Sequence, residues 1–188
     1  HVGGTTYSNN TTNWGTNPIS GNWGAVTDTG TAQSMTWNGT VAGVDISAHH
    51  TVLREGLYLE IVVTLTNSTA STLSDLYYYR NVDPDNNYYQ NSVFETTNTI
   101  LSQGNNGTGR SEVTATQPDG SFISLTGFGE NSRVSYGGFS NRDPLAIYNG
   151  TGLSQSGSTL SDEAISLAFH VPTLAAGQST TLTLRYTF

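Results

Sequence analysis

The sequence predicts an all-β protein built as an antiparallel β-sandwich. Thr, Ser, Asn, Gly and Tyr dominate the chain, as strands and turns require. No long window repeats apolar residues at i, i+3, i+4 and i+7, so no amphipathic helix is expected. Several stretches alternate apolar and polar residues with a period of two, and Gly, Asn and Asp clusters separate them. A length of 188 residues suits one sandwich with a core large enough to need no disulfide, and the chain has no cysteine.

The elements follow in chain order. The first two dozen residues read as loop. Short strands are expected over residues 33–37, 40–44 and 50–53. The clearest strand covers residues 57–66, where Leu57, Leu59, Ile61, Val63 and Leu65 face a core and Tyr58, Glu60, Val62, Thr64 and Thr66 face the other way. Residues 67–72 form a polar loop, and residues 73–82 return as the second arm of a hairpin. Weaker strands are expected over 111–117, 121–128, 133–139 and 145–148. At the C-terminus Ile165, Leu167, Phe169 and Val171 alternate with polar or small residues, and Pro172 closes that strand. A turn at residues 175–178 leads to Leu182, Leu184 and Tyr186. No linker divides the chain, so residues 1–188 read as a single ligand-binding domain. The absence of a starting Met and of a signal-peptide core suggests a monomeric domain of a longer chain.

Charge narrows the partners. Fourteen acidic residues stand against six basic ones, giving a formal charge of −8, and every basic residue is Arg. Nucleic acid and anionic lipid both need clustered cations, so neither is expected as a partner. No apolar run approaches the ~20 residues of a membrane span, so no membrane insertion is expected. Acidity does suit divalent cations.

The sharpest motif is Asp83-Pro84-Asp85-Asn86-Asn87, directly after a strand. Asp at i and i+2 with Asn at i+4 places hard oxygens on one side of a tight loop, as calcium requires. It is not an EF-hand, because Tyr88 stands at the sixth position and Phe94 at the twelfth. The expected calcium ligands are Asp83, Asp85 and Asn87, with Glu95 and Asn98 the nearest further donors. An Asx/Pro turn without metal is the simpler alternative.

Aromatic residues supply a second theme. Tyr77-Tyr78-Tyr79 precedes the acidic loop and Tyr88-Tyr89 follows it. On a strand Tyr77 and Tyr79 share one face and Tyr78 takes the other. Asn13-Trp14-Gly15 and Asn22-Trp23-Gly24 form a loose echo, with Trp37-Asn38-Gly39 in reversed order, and an exposed Trp can stack on a sugar. The Gly-rich stretch from Tyr136 to Pro144 combines aromatics, a cation and an acid. Loops of this composition let a backbone approach a ligand closely. Tyr88, Tyr136, Ser140, Asn141, Arg142 and Asp143 are therefore the candidate ligand-binding residues, with cross-strand packing or a surface Arg142–Asp143 pair as the alternative.

No catalytic constellation is legible. There is no thiol, no HExxH, no GxSxG and no P-loop. His49 and His50 are neighbours on a strand and point to opposite faces. Asp83 and Asp85 in one small loop suit a shared cation better than a glycosidase pair across a cleft. The expectation is a protein that is not an enzyme, with no catalytic residues.

The segments IVVTLTNSTASTLSDLYYYRNVDPDNN and LAAGQSTTLTLRYTF resemble β-sandwich domains of large bacterial surface proteins. More narrowly, the chain resembles the peptide-binding domains of calcium-dependent RTX adhesins, over roughly residues 57–98 and 164–188. That resemblance implies an extracellular, cell-surface domain supported by calcium. It implies a peptide ligand on a host or partner cell, held by its C-terminal carboxylate, with Asp83, Asp85 and Asn87 as the matching residues. A carbohydrate-binding module that presents Trp14, Trp23 or Trp37 to a glycan is the rival reading, and a structural spacer is a third.

Overall fold

The structure is a computed structural model that describes residues 1–8, 17–85, 88–139 and 142–188. The chain is all-β and of the antiparallel sandwich class, as the residue pattern predicts. Its strands are β1 (Tyr7–Ser8), β2 (Asn17–Pro18), β3 (Ser20–Trp23), β4 (Thr27–Asp28), β5 (Ala32–Val41), β6 (Val44–Leu53), β7 (Tyr58–Asn67) and β8 (Leu73–Val82). There follow the helical turn α1 (Tyr88–Asn91), β9 (Thr96–Ser102), β10 (Arg110–Thr116), β11 (Phe122–Phe128), β12 (Ser132–Gly137) and the short helix α2 (Pro144–Asn149). β13 (Ser158–Ser161), β14 (Ala164–Leu174) and β15 (Ser179–Thr187) complete the chain. Residues group into two compact units, His1–Tyr77 with Val171–Thr183, and Tyr78–His170 with Leu184–Phe188.

In the first unit the strand order is β15-β7-β6-β5-β3, with β4 also paired to β5. The expected strands at 33–37 and 40–44 are largely one strand, β5, whose end pairs Val41 with Val44. Ala42 and Gly43 close that hairpin with φ of 47° and 76°, the two positive values a type I′ turn needs. The register Ile46↔Leu65 and Ala48↔Val63 puts these side chains on one buried face. Leu57 departs from the predicted inward set: it precedes β7 in a bend and is 73% exposed. Asn67 ends β7 fully buried with its carboxamide saturated. Its oxygen accepts from the Thr69 amide and hydroxyl, and its Nδ2 donates to the Ser71 and Leu174 carbonyls, each at 2.7–2.9 Å.

In the second unit the order is β13-β9-β10-β11-β15, and β12 pairs with β14 in a separate sheet. Val113, Ala115 and Leu125 of the first sheet and Val134, Leu167 and Phe169 of the second form a core with no solvent exposure. Gly127 allows the close approach, because a Cβ there would lie 2.5 Å from Leu167 Cδ1 and 3.0 Å from Phe169 Cζ. Residues 145–148 are not a strand but part of α2. Asp143 caps it by accepting from the Leu145 amide at 3.0 Å, Pro144 opens it, and Gly150 ends it at φ 68°. Pro172 does not close β14, which runs on to Leu174. The ladder to β12 stops at Phe169, so a missing N–H at position 172 costs nothing on that side.

Candidate functional site

The acidic loop leaves β8 at Val82 and is pinned by Pro84, which is buried. Proline fixes its own φ and restricts the residue before it, so Asp83 and Asp85 project from a stiff turn. Asp162 joins them from the turn between β13 and β14, and the three carboxylates offer ligand atoms all within 4.8 Å of one another. No local pattern marks Asp162, because β13 is four residues long and has no legible period. Asn98, expected as a ligand, is instead a brace. It is fully buried, accepts from the Thr96 hydroxyl at 3.0 Å and donates to the Ser161 carbonyl at 3.1 Å. That second bond holds the residue before Asp162 against β9, where Ser161 pairs with Thr96. Glu95 is exposed and is not a member of the triad. Asn87 lies outside the described residues.

The electrostatics of the triad are those of crowded like charges. Burial, then the Asp85 and Asp162 charges, push Asp83 up to about 6, and the proton it retains is donated to Asp85. Asp85 is also raised, by burial first and by Asp162 second, against the lowering effect of the Asp83 hydrogen bond. Asp85 Oδ1 is shut off from solvent without a hydrogen-bond partner, and so are Ser161 Oγ and Glu163 Oε2 on either side of Asp162. Oxygen acceptors left unpaired around three carboxylates fit a hard cation.

The other expected ligand residues scatter. Tyr136 is a core residue, 6% exposed, whose hydroxyl donates to the Ser156 carbonyl at 3.3 Å, so it is corrected from surface contact to packing. Asp143 caps α2 through its carboxylate. Tyr88 stacks on Phe94 with ring centroids 4.3 Å apart, beside Tyr89, which is 99% exposed. Arg142 is part-exposed. Ser140 and Asn141, like Trp14, lie outside the described residues.

The reversed Trp motif has a structural meaning. Gly21, Asn22 and Trp23 pair residue for residue with Gly39, Asn38 and Trp37 across antiparallel β3 and β5. The Trp37 ring lies over both glycines, where an added Cβ would come within 2.3 Å of it. Trp23 is 55% exposed and meets His50 edge-on at 5.0 Å. His49 and His50 do face opposite ways, since His49 is exposed and bonds Thr36 at 3.0 Å. The opposite face of the same strands carries a polar groove of about 510 Å³ lined by Ser20, Asn22, Asn38, Thr40, Asp45, Ser47, Thr64 and Thr66.

Arg80 is a largely buried cation that no motif marks. It alternates with Tyr78 on β8, and its guanidinium carbon lies 5.5 Å from the centre of the Tyr78 ring.

No protein-family model matches the chain, and no curated protein matches it. Among solved structures it is similar to one described as a "putative aldose 1-epimerase" from Escherichia coli K12, at 12% identity and a TM-score of 0.44, over 89% of this chain and 68% of that one. The neighbour bears an enzyme's name and not an adhesin's, so the expectations of a calcium-dependent peptide-binding adhesin domain and of a non-enzyme are withdrawn. Likeness at this level transfers no activity, substrate or site.

Proposed function

We propose that the chain is a calcium-binding domain in which Asp83, Asp85 and Asp162 hold the ion. The observation that carries the reading is the convergence of three carboxylates from two separate turns, with ligand atoms within 4.8 Å of one another. The crowding leaves two features that a cation would answer: the like charges repel beyond what the Asp83–Asp85 hydrogen bond relieves, and the solvent-excluded Asp85 Oδ1 has no donor. A dication answers both. The triad is all carboxylate oxygen, with no His or Cys, which suits calcium or magnesium over zinc. Calcium is preferred because the acids come from irregular turns, whose spacing suits its variable coordination better than the strict octahedron of magnesium. Exposed Asp83 and Asp162 leave the site open to water. An open site of this kind belongs with extracellular modules that fill at roughly 10⁻⁴–10⁻³ M calcium.

Thermal melts test the proposal. An ion that binds only the folded chain stabilises it by about 2.7 kcal/mol at a hundred times its dissociation constant. Melts in calcium should lie above melts in EDTA, magnesium should give a smaller gain, and Asp162→Asn should remove most of the calcium gain. Coincident melts in calcium and EDTA would sink the reading.

A further inference from the structure

Arg80 is a largely buried cation in a chain with only six basic residues, and among the described residues no ion pair joins it to a carboxylate. Arg54 and Arg110 each pair with a carboxylate, at 2.6 Å to Asp28 and 3.0 Å to Glu112. Among the described residues no carboxylate pairs with Arg80, and its Nε is shut off from solvent without a hydrogen-bond acceptor. A buried charge is ordinarily paired, and a buried donor with no acceptor calls for an unseen partner. The two groups that act on its charge are the phenols of Tyr78 and Tyr186.

Those phenols are neutral groups that can donate as well as accept. Burial raises Tyr78 and pushes Tyr186 up to about 12, so both hydroxyls keep their protons at neutral pH. The Tyr78 oxygen accepts from the Arg80 guanidinium. The guanidinium fork, 5.5 Å from the centre of the Tyr78 ring, is a set of donors of which Nε is unpaired. Arg80 keeps intermediate exposure, so part of its side chain meets solvent while Nε itself lies beneath it.

We propose that Arg80, flanked by Tyr78 and Tyr186, is the anchor of a binding site for the carboxylate group of a small ligand. The planar carboxylate matches the guanidinium fork in shape and neutralises one charge with one charge. A phosphate dianion would need a second cation, and among the described residues of this chain of formal charge −8 no other cation acts on Arg80. The site is independent of the cation triad, which acts on Asp83 and Asp85 and not on Arg80.

The test uses the full ¹⁵N-labelled chain in EDTA throughout, so that its outcome does not depend on the calcium site. Sodium acetate and sodium D-glucuronate are titrated against sodium chloride at matched ionic strength, and inorganic phosphate serves as the competing class. The Arg80 Nε–H resonance, assigned by its loss in Arg80→Lys, should shift saturably with the two carboxylates and not with chloride. Arg80→Met should weaken acetate binding roughly tenfold or more, the loss of one charge-assisted hydrogen bond. Tyr186→Phe, which keeps the charge and the ring, should weaken it by a smaller factor. A stronger response to glucuronate than to acetate would place the carboxylate on a sugar acid, and an equal response would place recognition in the carboxylate alone. The proposal is overturned if the Nε–H resonance responds no more to carboxylates than to chloride, if phosphate binds more tightly than both carboxylates, or if a folded Arg80→Met binds acetate as the parent does.

Discussion

Asn98 sits on β9, the next strand after the acidic loop, and it decides where Asp162 stands. Its carboxamide joins β9 to the Ser161 carbonyl, one residue before the acid. Replacing it with Ala leaves that buried carbonyl and the Thr96 hydroxyl without their partner, which costs about 1–3 kcal/mol each way such a group is stranded. Asn98→Ala should therefore lower stability in EDTA and also shrink the calcium gain, because Asp162 is no longer held in place. Asp143→Ala makes the control. It removes the cap of α2 and should cost about 1 kcal/mol in urea denaturation, with the calcium gain unchanged. An Asn98→Ala chain that keeps the full calcium gain would show that Asn98 only packs. The contrast also marks what sequence can say about single residues. Asp83 and Asp85 are visible because their spacing is local. Asp162 is invisible because its partnership is made by the pairing of β13 with β9, a contact between residues some sixty positions apart. Asn98 is of the right type at a plausible distance, and only its burial shows that it braces rather than ligates.

At the scale of elements, period-two alternation located the strands that are buried on one face, and failed where other rules govern. β7, β8, β10, β11, β12, β14 and β15 all lie within a few residues of expectation. β9 and β13 were missed because polar Thr, Asn and Ser fill them, including buried Thr96 and Asn98 whose burial rests on hydrogen bonds rather than hydrophobicity. α2 was misread as a strand because six residues are too few to show a helical period, although Asp-Pro at its start and Gly at its end are proper boundary signals. The echo of Asn22-Trp23-Gly24 with Trp37-Asn38-Gly39 is one residue out of step with the true mirror, Gly21-Asn22-Trp23. Antiparallel strands carry matched residues in opposite order, so the reversal was itself the signal. Trp37 covers Gly21 and Gly39, and the absence of side chains there is what admits the indole. Gly39→Ala would put a methyl 2.3 Å from the ring and 2.7 Å from the Ser20 carbonyl. Overpacking of this kind costs about 1–3 kcal/mol. The indole fluorescence of the variant should also move, since Trp37 must leave its place. An unchanged spectrum and midpoint would mean that the ring does not lie on Gly39.

The whole molecule carries fourteen acidic groups against six basic ones, and its response to pH gathers their effects into one measurable curve. Within that curve Asp83 has a particular sign. Its carboxyl is pushed up to about 6 in the folded chain, from an ordinary value of 3.8, by burial and by Asp85 and Asp162. Between those values the folded state binds more protons than the unfolded state, so stability falls as pH rises. The contribution is complete below the unfolded value and is lost as pH climbs through the folded one. Asp83 is exposed, so solvent screening weakens the effect, and its direction is the firm part of the prediction. In EDTA, then, Asp83 should cost the chain stability between about pH 4 and pH 7. Calcium reverses the argument, because the ion must displace the proton that Asp83 holds and share its charge among three carboxylates. The calcium gain should be small near pH 4.5 and should grow to its full value by about pH 7. Subtracting melts in EDTA from melts in calcium at each pH cancels every group the ion does not touch, so the difference curve reports the triad. Asp83→Asn should flatten the EDTA curve across this window while lowering the calcium gain at neutral pH. A calcium gain that is constant from pH 4.5 to pH 7, or an Asp83→Asn chain with the parent's EDTA curve, would remove Asp83 from the site.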